Sequence, residues 1–347
     1  QWIAAAYTRK NAIKLGKLMF HSTCLCTDCE NELRPKLLEL FAGIGGATVA
    51  FQNFVDVIAA IDINDNAKSV YQTNFSHPYL TLSIESLSAS RLQAFNADIW
   101  WMSPPCQPFT RRGLRRDDRD PRSAALKNLI DILDIAGPAT LMLENVVGFQ
   151  KSKMHRRLIT KLTSCDYHIH EYLLCPTDFG IPNNRPRYYL LASKTPVKKL
   201  NFKNPEPKHL VDFLDTKVDE RFWIERELLG GKINGLNVVT PKSDSSICFT
   251  SSYGRWMRIS GSFIQCGERI RRFTPREILR ILGFPEAFKL PTSLTDSQLW
   301  KLIGNSISVF VVQRLLSPYV GSEFLRPSSK WAGGNTLMQC PWENRAF

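Results

Sequence analysis

Long apolar runs are absent from this chain of 347 residues. None approaches the roughly 20 residues that a membrane-spanning helix needs, so no membrane partner is expected. No secretory signal is recognisable either, which predicts reduced thiols and a cytoplasmic location, with the nucleus as a second compartment. A triphosphate loop of the form G-x-x-x-x-G-K-[ST] is missing, which counts against a nucleoside triphosphate. Metal-site spacing is incomplete. Cys26 and Cys29 form a Cys-x-x-Cys, joined by His21 and Cys24, but no second ligand pair follows, so no metal is expected. Acidic residues are missing from positions 1–27, which carry Arg9, Lys10, Lys14 and Lys17. That stretch reads as a basic extension, with an organelle-targeting remnant as the alternative. A chain opening on Gln1 reads as a fragment or a processed product. No internal repeat is visible.

What is present points to a nucleic acid. The formal net charge is +13 on a chain with an ordinary globular hydrophobic fraction of 44%. Such an excess favours a polyanionic partner over a membrane surface. From Leu37 onward short apolar runs alternate with helix-compatible stretches. The runs are LLELF (37–41), VDVIAAID (55–62), YLTLSI (79–84), ADIWWM (97–102) and TLMLEN (140–145), followed by YHIHEYLLC (167–175) and RYYLLA (187–192). This alternation predicts βαβ units in an α/β, doubly wound, mostly parallel sheet, with ligands at the carboxyl ends of the strands. Residues 194–270 are rich in proline and lysine and break the pattern. The expected organisation is an irregular extension over 1–36, a catalytic and cofactor-binding domain over 37–193, a small target-recognition domain over 194–270, a return to the catalytic domain over 271–320, and a tail over 321–347. Within the return, Thr274, Pro275 and Glu277 predict an N-capped helix, and a last apolar helix is expected over roughly 304–316.

Four strand ends carry chemistry. AGIGG (42–46) closes the first strand and opens a helix, so backbone can approach a ligand there. Asp62 closes the second, where a carboxylate can accept bonds from two ribose hydroxyls. The glycines lack the dinucleotide spacing G-x-G-x-x-G, which argues against a dehydrogenase. Cys106 sits in SPPCQPFT, between prolines that stiffen a turn after the strand 97–102. A buried structural cysteine needs no such turn. Glu144-Asn145-Val146 ends the next strand, and Arg185 and Arg187 precede another. A thiol, a carboxyl and two guanidiniums are thus expected near an adenosine-type ligand.

These pieces occur in a telling order: ELFAGIGG, SPPCQPFT, ENV, N-x-R-x-R (183–187), FTPRE and GNS (304–306). The order resembles that of the cytosine-5 nucleic-acid methyltransferases, and the match runs from about Leu37 to Leu316. SPPCQPFTR and Cys248-Phe249-Thr250 further resemble the tRNA-modifying branch of that family. The resemblance implies a class I, Rossmann-like fold that uses S-adenosylmethionine and yields S-adenosylhomocysteine. It implies Cys106 as the nucleophile toward C6 of cytosine and Glu144 as the group that binds and helps protonate N3. Arg185 and Arg187 would supply the positive field that favours the thiolate. Ala42, Gly43, Ile44, Asp62, Ile84, Glu85, Ser103, Asn305 and Ser306 would line the cofactor. Gln107, Thr110, Arg111, Arg112, Asn145, Cys248, Phe249, Thr250 and Tyr253 would face the substrate. The implied partner is tRNA, with a cytosine in the anticodon loop of tRNA-Asp as the target and a monomer as the working form. A DNA methyltransferase is the alternative, and a non-catalytic nucleic-acid-binding protein is a second. The run 111–123, with six arginines against Asp117, Asp118 and Asp120, reads as a lid that grips phosphates. Asn183 stands where the wider family has glutamine, and residues 1–36 have no counterpart in it.

Overall fold

A computed structural model describes residues 34–109, 117–202, 205–225, 235–255 and 257–316. Thr110, Arg111, Arg112, the cluster His21, Cys24, Cys26 and Cys29, and the tail 321–347 lie outside the described residues. Among the described residues no helix is long and apolar enough to cross a membrane, and no group of three or more His, Cys, Asp or Glu side chains is placed to hold a metal ion.

The described chain divides into two compact units. The first comprises 34–174, 186–202 and 312–316, and the second 175–185, 205–311. The first unit is built on a seven-stranded sheet in the order β3-β2-β1-β4-β5-β7-β6. Its strands are β1 (Lys36–Leu40), β2 (Asp56–Asp62), β3 (Tyr79–Thr81), β4 (Ile99–Met102), β5 (Thr140–Val146), β6 (His168–Leu174) and β7 (Arg187–Ser193). The central strands are continuous apolar runs, as strands covered on both faces must be. All of β4 is buried. Helices α1 (Gly46–Phe51), α2 (Asp65–Asn74), α3 (Ala89–Ala94), α4 (Ala124–Asp131), α5 (Leu133–Ala136) and α6 (Lys153–Ser164) follow the strands. Leu126, Leu129, Leu158 and Leu162 from α4 and α6 share one core with Leu38, Leu40, Trp100, Leu141 and Leu143 of the sheet.

One expectation changes. The run 79–84 pairs only through Thr81; Ile84 instead begins a short turn and is buried in the core. The sheet is mostly parallel, as expected, with four of its six pairings parallel; the order of the runs did not show that β7 runs antiparallel to both β5 and β6.

The second unit holds a four-stranded sheet in the order β8-β11-β10-β9, from β8 (Trp223–Ile224), β9 (Val238–Val239), β10 (Phe263–Cys266) and β11 (Arg269–Arg272). It also contains α7 (Pro275–Leu282) and α8 (Asp296–Gly304). The predicted cap of α7 is present: Thr274 accepts from the Glu277 amide and Glu277 reaches back to the Thr274 amide. Residues 271–311 were expected to return to the catalytic domain, but by their contacts they belong to this second unit. The reason is a buried polar and aromatic seam. Tyr253 accepts from the Phe273 amide at 2.9 Å, and Trp300 donates to the Phe273 carbonyl at 3.1 Å. Arg271 and Glu277 form a two-bond ion pair, 2.8 Å in each bond. The last helix, α9 (Val309–Leu315), is shorter than expected because α8 continues through Gly304.

Candidate active site

In the first unit the turn after β1 is held in unusual backbone geometry. Phe41, Gly43 and Gly45 have φ of 59°, 53° and 88°. Left-handed backbone costs a non-glycine residue about 1 kcal/mol, and such strain collects at functional turns. At Gly45 a Cβ would lie 2.6 Å from the Phe75 ring, while at Gly43 it would meet nothing within 4 Å. The space beside bare backbone at Gly43 is open, which leaves a cradle at the turn. Asp62 closes the cradle: its carboxylate accepts from the amides of Gly43 at 2.9 Å and Asn64 at 3.0 Å. Burial pushes the Asp62 carboxyl up, opposed by those amides. Ala42 and Ile44 are buried, so they can offer a ligand little beyond backbone. Ile84 is core, with its carbonyl bound by Asn128, and Glu85 is exposed. Ser103 accepts from the Trp101 indole at 2.7 Å, and its amide donates to Leu40 at the end of β1.

Pairing of β1, β4 and β5 brings the glycine, cysteine and glutamate turns to one edge of the sheet. Cys106 is half-buried and in no disulfide, and Gln107 beside it is exposed. Asn145 is 1% exposed and donates to the Pro104 carbonyl at 3.2 Å, so it fastens the glutamate turn to the cysteine turn. Expected as a substrate contact, Asn145 is instead a buried tie, because its oxygen also accepts from the Val146 amide. Gly148 seals the same junction: a Cβ there would lie 2.3 Å from the Phe109 carbonyl. Phe109 packs edge-on against Phe149, with centroids 5.0 Å apart. Glu144 is paired with Arg187 at 3.2 Å, across the β5–β7 ladder.

Five residues of this unit escaped the reading of the sequence. Phe41 and Ile63, the latter 70% exposed directly after Asp62, flank the cradle. Gly148 left no local signal, since its close neighbour is distant in the chain. Arg122 is gripped by Asp120 through Nε at 2.9 Å and Nη2 at 2.7 Å. The short turns Gln107–Phe109 and Pro121–Ser123 touch, which brings Arg122 to the cysteine turn. Asp120 holds the Arg122 guanidinium above its ordinary range, and Cys106 lies near enough to add a smaller electrostatic contribution. The fifth is Glu39. It is fully buried, and that burial pushes its carboxyl up to about 7 despite hydrogen bonds from Thr48 and Ala47. A lone acid inside an apolar strand gave no hint of a role.

In the second unit, Arg185 is 3% exposed. Its guanidinium donates to the carbonyls of Phe249 at 3.0 Å, Gly304 at 3.4 Å and Ser306, and meets the Cys248 sulfur at 3.1 Å. The expected field source is thus engaged in tying residues 248–249 to 304–306. Phe249 and Tyr253, expected at the substrate, are core residues packed on Phe273, Phe263 and Trp300. Their rings are enclosed, which leaves no face for a nucleotide. Thr250 and Cys248 are half-buried, Ser306 is buried and Asn305 exposed.

Residues 35–256 and 241–319 match the C-5 cytosine-specific DNA methylase family. The chain belongs to this family. Its members carry out methyl transfer from S-adenosylmethionine, and the fold is that of class I S-adenosylmethionine-dependent methyltransferases. Among curated relatives, a tRNA (cytosine(38)-C(5))-methyltransferase of Schizosaccharomyces pombe is 35% identical, covering 82% of this chain and 96% of that protein. A DNA (cytosine-5)-methyltransferase of Dictyostelium discoideum is 33% identical over 82% of this chain and 94% of its own length. The crystal structure of S. pombe Dnmt2 methyltransferase superposes with a TM-score of 0.74 at 32% identity, covering 82% of this chain and 97% of that one.

Proposed function

We propose that this protein transfers a methyl group from S-adenosylmethionine to C5 of cytosine 38 in the anticodon loop of a tRNA, with tRNA-Asp as the expected substrate. The observation that carries the reading is the junction of two turns: Asn145 bound to Pro104, with Glu144 held by Arg187. It fastens the glutamate turn to the cysteine turn, which supports a reading in which one thiol and one carboxyl act on a single pyrimidine ring.

The residues then act as follows. Cytosine C5 is a poor nucleophile. Addition of the Cys106 thiolate to C6 turns the ring into an enamine and raises electron density at C5. Glu144, oriented by Arg187, binds N3 and the exocyclic amine and passes a proton to N3 as C6 is attacked. Arg122 supplies positive charge near the thiol. Bound S-adenosylmethionine supplies an electrophilic methyl group. The cradle of Gly43 and Asp62 would hold it, with Asp62 as the acceptor for the ribose hydroxyls. Solvent takes the C5 proton, N3 returns its proton to Glu144, and Cys106 leaves as thiolate, which frees the product base. A base in an anticodon loop is already partly unstacked, so bringing it to a thiol costs less than from a duplex.

DNA is the second reading, supported by the Dictyostelium relative. Incubation with methyl-labelled S-adenosylmethionine and either total tRNA or duplex DNA separates the two. Label in tRNA, lost in Cys106→Ala, is the expected result. Label in DNA alone overturns the substrate, and label in tRNA that survives Cys106→Ala overturns the mechanism.

A further inference from the structure

Cations gather at the edge of the first unit where the glutamate turn ends. β5 closes at Val146, a short turn spans Val147–Lys151, and α6 starts at Lys153. β5 and β6 are both antiparallel to β7, so they point the same way and α6 must run back between them. Its first turn therefore stands at the edge that carries Cys106 and Glu144. Asp117 pins a second stretch of chain to this spot. Its backbone is left-handed, with φ of 50°, and its carboxylate accepts from the amides of Lys153 at 2.6 Å and Met154 at 3.2 Å. The helix end is thus filled by an internal carboxylate, and Arg119, two residues on, is carried beside it. Arg119, Lys151, Lys153 and Arg156 are all exposed. The neighbouring cations divide into two sets. Arg157 and Lys161, about one helical turn apart, pair with Asp131 at 2.5 Å and Asp134 at 2.9 Å. Lys153 comes only within 4.0 Å of Asp118. Among the described residues Arg119, Lys151 and Arg156 enter no ion pair. Arg156 is turned about 100° from Arg157 around the helix, away from Asp131 and Asp134. Like charges gathered without acids repel one another, and a polyanion relieves that repulsion while releasing its own counterions.

We propose that Arg119, Lys151 and Arg156 form a surface that takes backbone phosphates of the tRNA beside the target cytosine. The inference rests on the tRNA reading above and deepens it. None of the three lies in the motifs by which the chain resembles its family. Phosphate contacts fix the register and orientation of a nucleic acid without reading its sequence. Held at the end of the glutamate turn, these cations set the anticodon loop against the edge of the sheet and leave recognition of the base to Cys106 and Glu144. Arg157 and Lys161 take no part, because their charges are already spent on acids of α4 and α5.

Filter binding of the full chain to tRNA-Asp, between about 50 and 200 mM salt, tests this through the slope of log affinity against log salt. Two double variants remove the same net charge from neighbouring positions. Lys151→Gln with Arg156→Gln takes away unpaired cations, and Arg157→Gln with Lys161→Gln takes away paired ones. The first pair is expected to flatten the slope by about 1.4, at about 0.7 for each phosphate contact on a single strand. Arg119→Gln alone flattens it by about half as much, and the second pair leaves it as it was. The KM for tRNA rises in the same order. All these side chains are on the surface, and melting curves show that each variant is folded. A slope unchanged in the first pair, or flattened equally in both, overturns the inference and leaves the tRNA reading standing. Failure of the unmodified protein to bind tRNA, whether or not it binds duplex DNA, overturns that reading and the inference with it.

Discussion

Glu144 and Arg187 hold one another at 3.2 Å, and each is mostly buried. A carboxyl that must meet one edge of a base cannot rotate freely, and the guanidinium fixes it. Arg187→Ala is therefore expected to lower kcat by about 10²-fold, within the range of a single acid–base contribution, with less effect on the KM for cofactor. Steady-state kinetics on tRNA check this, and an unchanged kcat contradicts it. Glu39 bears on stability. Its folded carboxyl titrates near 7, above its ordinary value of 4.5, so the folded state keeps a proton that the unfolded chain has lost. Its contribution to stability thus falls as pH rises from about 4.5 to about 7, by on the order of 3 kcal/mol. In the cofactor-free protein Glu39→Gln removes that fall. Denaturant midpoints at pH 5 and pH 8 should converge in the variant relative to the unmodified protein.

At the scale of elements, the cysteine and glutamate turns are locked by backbone contact as well as by Asn145. Gly148→Ala sets a methyl group 2.3 Å from the Phe109 carbonyl, so one turn must move. Small displacements of reacting groups cost about 10²-fold in rate, which is the loss expected here, with circular dichroism and melting showing a folded protein. The strands that make this edge were legible because β1, β2, β4 and β5 are dense apolar runs ended by glycine, proline or acid. The cap of α7 was legible because Thr-Pro-x-Glu is a local pattern. The direction of β7 was not, since alternation reveals a strand without revealing its partner. The start of α9, expected near 304 and found at Val309, was misjudged because Leu302, Ile303 and Ile307 continue an apolar pattern through Gly304.

For the molecule as a whole, the catalytic candidates were readable as a motif set, but their surroundings were not. Phe249 and Tyr253 lie in a stretch that resembles a substrate-facing motif, and only the packing of 253 on 273 and 300 shows them to be core. Arg185 has the residue type for a field at the thiol, yet its donors face carbonyls brought near by residues more than a hundred positions away. The net charge of +13 was visible at once and carries its own consequence. Affinity for tRNA should fall steeply, by a linear log–log relation, between about 50 and 200 mM salt, as phosphate contacts are released. Filter binding measures it, and a salt-independent affinity contradicts a phosphate-driven interface. The most direct test of the central claim uses tRNA carrying 5-fluorocytosine, in which the C5 substituent cannot leave and the enzyme stays bonded to C6. With S-adenosylmethionine present, a denaturation-resistant protein–tRNA complex should form, and peptide mapping should place the link at Cys106. Absence of that complex, or a link at any other residue, contradicts the account.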